Sequence, residues 1–339
     1  MTTNRTVVLK SHPGSSLKAE NLGIIDAPMP EIGDGEVLTR NIYASLDPGV
    51  RMALGAATAY AAALDINTPL GTLVIGEVIK SCNDSYPVGS LMHCAGAIQE
   101  YSAITSRHCR WTVDESLSPT LSHALGILGM TGLTAYFGLL DVGKPEEGNT
   151  VLVSTAAGAV GSLAGQIAKI KGCKVVGIAG GPGKAERLTD DFGFDVGIDY
   201  RGKDTVQLAE AIRAAAPEGI DVFFDNVGGK QLDAALANMN WAGRIASCGM
   251  ISEYDQAERH QFQNLFQIVG KALTVKGFLG FTFWRKFPDA LVEISKWMKT
   301  GQIKLYEDIE DGIDNAIPGF LKLFSGANKG KMLVKIADR

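Results

Sequence analysis

The sequence predicts an α/β protein, a doubly wound parallel sheet joined to a smaller β-rich unit. Three observations predict it. Residues 1 to about 120 hold short strand-like runs parted by Gly, Pro, Asn and Asp. From about residue 121 strand-like and helix-like segments alternate, the pattern of a parallel sheet with helices on both faces. Between the apolar run Thr150–Val153 and the helix-like Leu163–Ile170 lies Ser154-Thr-Ala-Ala-Gly-Ala-Val-Gly-Ser162. A glycine turn from a strand into a helix N-terminus is built to hold phosphate.

The first part contains the runs Thr6–Leu9, Glu36–Ala44, Gly71–Lys80 and Glu100–Ile104. The second reads strand Thr150–Val153, helix Leu163–Lys171, strand Lys174–Ile178, helix Lys184–Phe192 and strand Val196–Asp199. It continues with helix Thr205–Ala216, strand Val222–Asn226, helix Gln231–Met239 and strand Gly243–Cys248. A helix Ala290–Thr300, a helical stretch around Ile313–Gly326 and a strand Lys331–Ile336 follow. That last strand is expected to return to the first unit. The apolar segment Ala124–Leu140 carries Gly126, Gly129, Gly132 and Gly138. It is shorter than the roughly 20 residues of a membrane span, so it reads as a buried helix.

Composition narrows the function. The 339 residues give room for one large or two medium domains. A net charge of −5, without a lysine- or arginine-rich block, argues against nucleic acid as partner. The N-terminal residues lack the apolar stretch of a signal peptide. The five cysteines (82, 94, 109, 173, 248) form no CxxC pair, so reduced thiols in a cytoplasmic protein are expected.

The turn suits a dinucleotide. Gly158 lets backbone approach a pyrophosphate, and Gly161 lets the helix pack on its strand. Ala156 stands where the first glycine of G-x-G-x-x-G falls. The next strand runs into Ala179-Gly180-Gly181 with no acidic residue to bind a ribose 2′-hydroxyl. Lys184 follows, and a cation there suits a 2′-phosphate, favouring NADP(H) over NAD(H). Arg187 reads as a solvated charge on the helix start. Asp225–Gly229 and Cys248–Tyr254 fall at strand exits, where ligands of open α/β sheets lie.

The segments Gly129–Gly138, Ala156–Gly161, Gly165–Lys169, Phe224–Gly229, Gly243–Ala246, Cys248–Tyr254 and Asn328–Lys331 occur here in order. With them the chain resembles the zinc-independent branch of the medium-chain dehydrogenase/reductase superfamily. Within it, the match is to the leukotriene B4 12-hydroxydehydrogenase, prostaglandin reductase and 2-alkenal double-bond reductase group. The resemblance implies a GroES-like domain over 1–122, completed by about 305–339, and a Rossmann NADP-binding domain over 123–304. It implies a cofactor turn at Ala157, Gly158, Ala159, Val160, Gly161 and Ser162, with Lys184 and Tyr200 on the 2′-phosphate. Asn226 lies near the cofactor in this reading. Cys248, Gly249, Ile251 and Tyr254 run along its nicotinamide half. Phe278, Leu279, Gly280 and Asn328 complete the cleft, and the protein is a homodimer.

No metal is expected. Zinc-using relatives carry an early Cys and a Gly-His-Glu segment; here stand Ala44-Ser-Leu-Asp-Pro48 and Val74-Ile-Gly-Glu-Val78. His93, Cys94, His108 and Cys109 lie in strand-like context without a further partner at ligand spacing.

The implied reaction is NADPH-dependent reduction of the C=C bond of an α,β-unsaturated ketone or aldehyde, a small hydrophobic substrate, with hydride passing to the β-carbon. Negative charge then develops on the carbonyl oxygen and needs a hydrogen-bond donor. Tyr254 is the candidate, because a phenol of pKa about 10 keeps its proton at neutral pH. Tyr60 is a second tyrosine for the substrate mouth, although its alanine-rich surroundings suit surface or core as well. Phe281 and Trp284 line the pocket, or equally a core or subunit contact. Where relatives often read Asp-Pro-Tyr-Met-Arg, this chain has Asp47-Pro-Gly-Val-Arg51. Gly49 thus removes a pocket ring, and keeps open a zinc-free carbonyl reductase or alcohol dehydrogenase on the same scaffold. A non-catalytic NADPH-binding protein is the third reading.

Overall fold

The computed structural model describes residues 3–55, 62–254 and 259–339. The chain divides into two compact units. One joins the chain up to Leu125 with Glu307–Arg339, and the other is Gly126–Tyr306.

The first unit is β-rich. Strands β1 (Thr3–Leu9) and β2 (Leu22–Pro28) pair antiparallel. Strands β3 (Glu36–Ser45), β4 (Gly71–Ser81), β5 (Leu91–Ala97) and β7 (Cys109–Thr112) form an antiparallel run, and β6 (Tyr101–Thr105) pairs with β3. Val37, Val74, Val78, Met92 and Ile104 line the core of this unit.

The second unit is the doubly wound part. Its strands are β8 (Thr150–Val153), β9 (Lys174–Ala179), β10 (Val196–Asp199), β11 (Ile220–Asp225), β12 (Met239–Ser247) and β13 (Thr274–Gly277). They lie parallel in the order β10-β9-β8-β11-β12-β13. This is the Rossmann arrangement, and its order reverses between β8 and β11. Val151, Leu152, Val175, Val176, Phe223 and Phe224 are fully buried, as central strands covered on both faces must be. The helices are α1 (Met130–Phe137), α2 (Ala159–Ile170), α3 (Pro182–Asp190), α4 (Thr205–Ala215), α5 (Gly229–Asn238), α6 (Gln267–Gly270) and α7 (Phe287–Lys299). Helix α2 sits close to its neighbours because Gly165 has no side chain. A Cβ there would lie 1.9 Å from Cζ of Phe194.

The chain then returns to the first unit. Strand β14 (Glu307–Asp311) pairs with β15 (Lys331–Lys335), and β15 pairs antiparallel with β3. Helix α8 (Ala316–Ser325) joins them and buries Ala316 and Phe320 in the same core.

Ala124–Leu140 is not one helix. Leu121–Ala124 is a short 3₁₀ turn, α1 begins only at Met130, and Gly138–Gly143 is a π-helical turn. The chain folds back over the start of α1: the Gly132 N–H reaches Gly126 O at 3.1 Å, and a Cβ on Gly132 would lie 1.8 Å from Ile127 O. Backbone contact at that distance forbids a continuous helix from 124.

One buried cation ties the returning strand to the first unit. Lys331 is 2% exposed. Its Nζ donates to Ser45 Oγ at 2.6 Å, Asp47 Oδ1 at 2.9 Å, Met332 O at 3.1 Å and Leu46 O at 3.3 Å. All three ammonium protons therefore have acceptors, which a buried charge requires. Lys331→Met should lower stability by about 2–3 kcal/mol, the cost of leaving these acceptors unmet. Urea denaturation of the two proteins reads the difference, and an unchanged midpoint would contradict this role.

Candidate functional site

The glycine turn is shaped by one strained residue. Thr155, the second residue after β8, has φ +47°, a left-handed conformation that costs a β-branched side chain energy. It turns its carbonyl back over the start of α2, where it accepts the Gly158 N–H at 2.8 Å. A Cβ on Gly158 would lie 2.7 Å from Thr155 Cγ2, and one on Gly161 would lie 2.4 Å from Thr155 O. Both glycines are therefore fixed by Thr155. Ala156 is buried, and its methyl faces Gly177. Gly158 caps α2 without a side chain. The first-turn N–H groups, from Ala159, Val160 and Gly161, have no acceptor within the helix and form a positive pole. Ala157 and Ser162 flank this pole, with the Ser162 hydroxyl on Ala159 O at 3.3 Å.

The strand exits at the reversal point are locked by Asp225, which is fully buried at the end of β11. Its carboxylate accepts the Ser154 hydroxyl at 2.9 Å, the Val227 N–H at 3.0 Å and the Gly228 N–H at 3.1 Å. Its backbone carbonyl accepts the N–H groups of Cys248 at 2.7 Å and Gly249 at 3.2 Å. Asn226 completes the knot, donating from Nδ2 to Ser154 O at 2.8 Å and from its backbone to Ser154 Oγ at 2.7 Å. Burial pushes the Asp225 carboxyl above its ordinary range, and the hydrogen bonds from Val227, Gly228 and Ser154 pull against that shift.

The loop after β12 hangs from this knot. Ile251 N–H reaches Asn226 O at 3.3 Å, and the Ser252 hydroxyl reaches Val227 O at 2.7 Å. The Tyr254 hydroxyl accepts the Met250 N–H at 3.3 Å and stands over Gly249, where a Cβ would lie 3.3 Å from it. Burial pushes the Cys248 thiol up to about 12, with Asp225 adding to the shift. Beyond the segment, Asp233 is buried and accepts His260 Nε2 at 2.9 Å and the N–H groups of Gln263 and Asn264.

The exits of β9 and β10 carry cations and an acid, Asp199. Gly181, at φ +94°, donates its N–H to Asp199 Oδ1 at 2.7 Å, and Arg201 N–H reaches the same oxygen at 3.0 Å. Burial opposes the charge on Asp199, but these N–H groups, with Lys203 and Arg201, hold its carboxyl below the ordinary value. Asp199 therefore faces backbone donors. The Tyr200 ring and the Arg201 guanidinium stand over the glycines. A Cβ on Gly180 would lie 3.2 Å from Tyr200 Cε1, and one on Gly181 would lie 3.3 Å from an Arg201 terminal nitrogen. Lys184 lies in the first turn of α3. Arg201 escaped the sequence reading; its signal was a cation directly after Tyr200. Arg187 is not a solvated charge. It pairs with Asp191 at 2.9 Å, and its guanidinium lies 4.5 Å from the Tyr306 ring centroid.

The remaining predicted residues scatter more. Phe278 packs over Gly138 and edge-on to Phe224, with its N–H on Ser247 O at 3.3 Å. Gly280 fits against Thr134, and Leu279 is exposed. Phe281 and Trp284 are 56% and 54% exposed. Asn328 belongs to the other unit, where its Nδ2 donates to Gly330 O at 3.0 Å. Tyr60 lies outside the described residues. No group of three or more His, Cys, Asp or Glu among the described residues could hold a metal. His93 is buried and stacked on Trp111 at 3.9 Å; burial pushes its pKa down to about 3. No helix among the described residues is long and apolar enough to cross a membrane.

Comparison with known proteins agrees with this architecture. Residues 159–296 match the family model of the zinc-binding dehydrogenases, and residues 5–111 match the N-terminal domain of oxidoreductases. The chain is 37% identical to a 2-alkenal reductase (NADP⁺-dependent) of Nicotiana tabacum over 340 residues, 99% of this chain and 98% of the relative. It is 38% identical to prostaglandin reductase 1 of Bos taurus, covering 91% of each chain. Among solved structures it is similar to CurA of Vibrio vulnificus in complex with NADPH. The TM-score is 0.92 and the identity 34%, over 99% of this chain and 100% of that one.

Asp225→Asn keeps the shape of the knot but sets an NH₂ against the Gly228 N–H, the donor that both carboxylate oxygens share. We expect a loss of about 1–3 kcal/mol, and faster hydrogen exchange at the Val227 and Gly228 amides, whose acceptor is the carboxylate. Unchanged protection at those amides would show that the carboxylate does not hold the loops.

Proposed function

This chain belongs to the medium-chain dehydrogenase/reductase family, in the group of the 2-alkenal and prostaglandin reductases, and we propose that it reduces the C=C bond of hydrophobic enones and enals with NADPH. The observation that carries the reading is the Cys248–Tyr254 loop. It is tied to the exits of β8 and β11 at the reversal point, and it carries a phenol at its end.

The residues divide the work along the cofactor. The α2 N-terminus and the Gly158–Gly161 turn hold the diphosphate. Lys184, Tyr200 and Arg201 take the 2′-phosphate, a dianion that a planar guanidinium and an ammonium suit. Asp199, the last residue of β10, engages the Gly181 and Arg201 N–H groups through Oδ1. Asn226, Cys248, Gly249 and Ile251 support the nicotinamide end. Burial keeps the Cys248 thiol protonated there.

Bound NADPH supplies a hydride, which the β-carbon of the substrate accepts. The electron pair of the C=C bond moves toward the carbonyl and leaves an enolate oxygen. Tyr254 donates a hydrogen bond to that oxygen, and the α-carbon then takes a proton. Gly49, where relatives often carry a tyrosine, lies in the 3₁₀ turn Pro48–Ala53, a backbone that any residue adopts.

A second copy of the chain completes the particle. Strand β13 is the outer strand of its sheet, and Phe266, Val269 and Trp241 are each more than 70% exposed. An open edge beside exposed apolar side chains is a pairing surface. Light scattering should give the mass of a pair of chains, and a monomer at micromolar concentration would overturn this part.

NADPH oxidation with a 2-alkenal, an aryl enone, a saturated ketone and a quinone, with product identification, tests the reaction. Saturated carbonyl products from the first two are expected. Allylic alcohols would replace this reading with a carbonyl reductase. Tyr254→Phe should lower kcat roughly 100-fold, the scale of losing one oxyanion donor, with NADPH affinity little changed. Arg201→Ala should raise the KM for NADPH roughly tenfold, about the worth of one charge-assisted hydrogen bond, and leave that for NADH unmoved.

A further inference from the structure

Strands β5 and β7 bring two cysteines face to face. Cys94 and Cys109 are direct antiparallel partners. The Ala95 N–H donates to His108 O at 2.8 Å. Facing residues of an antiparallel pair come close enough for a disulfide, whose Cα atoms lie about 4.4–6.8 Å apart. The register shifts between His93 and Cys94, with Arg110 the extra residue of the bulge. Both thiols face the core of the first unit, with Tyr86 packed beside them.

The two cysteines differ in access and in charge. Cys94 is 1% exposed, whereas Cys109 is half-buried. Cys109 sits within hydrogen-bond reach of the Cys94 thiol and the Tyr86 hydroxyl, and Arg110 is adjacent in the chain. Donation from Cys94, set against burial, and donation from Tyr86 bring the Cys109 thiol down to about 7. The same contact, with burial, pushes Cys94 up. A thiolate is the nucleophile in cysteine chemistry, and access decides which thiol meets a reagent. Neither residue has a part in the reduction proposed above.

We propose that Cys109 and Cys94 form a peroxide-reactive pair, in which a hydroperoxide oxidises Cys109 and Cys94 then closes a cross-strand disulfide. The Cys109 thiolate attacks the terminal oxygen of the hydroperoxide, and the O–O bond breaks. The leaving oxygen takes a proton from solvent and departs as an alcohol, or as water from hydrogen peroxide. Cys109 is left as a sulfenic acid. The Cys94 sulfur then attacks the Cys109 sulfur; the S–S bond forms, the S–O bond breaks, and water leaves with the Cys94 proton. The hydroperoxide is reduced and the thiol pair oxidised, so electrons balance. An external thiol reverses the state by attack at the more exposed Cys109 sulfur.

The test treats the full chain with hydrogen peroxide at neutral pH, blocks remaining thiols and maps peptides without reduction. Exposed Cys82 is the internal reference. A Cys94–Cys109 linked peptide should appear roughly tenfold faster than oxidation of Cys82. In Cys94→Ser, dimedone should capture Cys109 as a sulfenic acid and no linked peptide should form. The wild-type peptide map decides by itself if that variant does not fold. Oxidation of Cys82 first, with Cys94 and Cys109 still open to alkylation, would overturn the proposal, as would a link from Cys109 to another cysteine.

Discussion

One buried aspartate holds the strand exits of the second unit together. Asp225 gathers the exits of three neighbouring strands: β8 through the Ser154 hydroxyl, β11 through its own turn, and β12 through the Cys248 and Gly249 N–H groups. Every partner of its carboxylate is a donor, which suits an ionised group. The upward shift of its pKa nonetheless says that burial outweighs those donors. What the knot supplies is geometry. Parallel strands alone would leave three loops at one sheet edge with no fixed relation between them. With Asp225, their backbones become one surface.

The rest of the proposed cofactor site is laid out along that surface by small residues and opposed charges. Thr155 accepts backbone strain so that its carbonyl covers Gly158 and Gly161. At the far end an acid is present but engaged by backbone N–H groups. Asp199 binds Gly181 and Arg201 N–H groups and so shapes the turn that carries the cations. The same residue type aimed outward from β9 would favour a ribose hydroxyl. The proposed recognition of a 2′-phosphate thus rests on what engages a carboxylate as much as on which cations stand near it.

Much of this was legible in the chain itself. The central strand Thr150–Val153 is fully marked by local pattern, because buried parallel strands are short apolar runs bounded by turn residues. The phosphate turn was legible for a similar reason, since close backbone approach leaves only glycine. Three features were not. Strands β13 and β14 are edge strands, Thr-Val-Lys-Gly and Glu-Asp-Ile-Glu-Asp, and only their pairing partners define them. The break in Ala124–Leu140 comes from a chain reversal over Gly132, a tertiary contact without local pattern. Arg201 and the Asp225 knot depend on side-chain direction, which spacing does not encode.

The most direct measurement of the central claim is the fate of the transferred hydride. An aryl enone is reduced with NADPH deuterated at the transferable position, and the label is located in the product. The account predicts deuterium on the former β-carbon of a saturated ketone. Deuterium on the carbonyl carbon of an alcohol would contradict it.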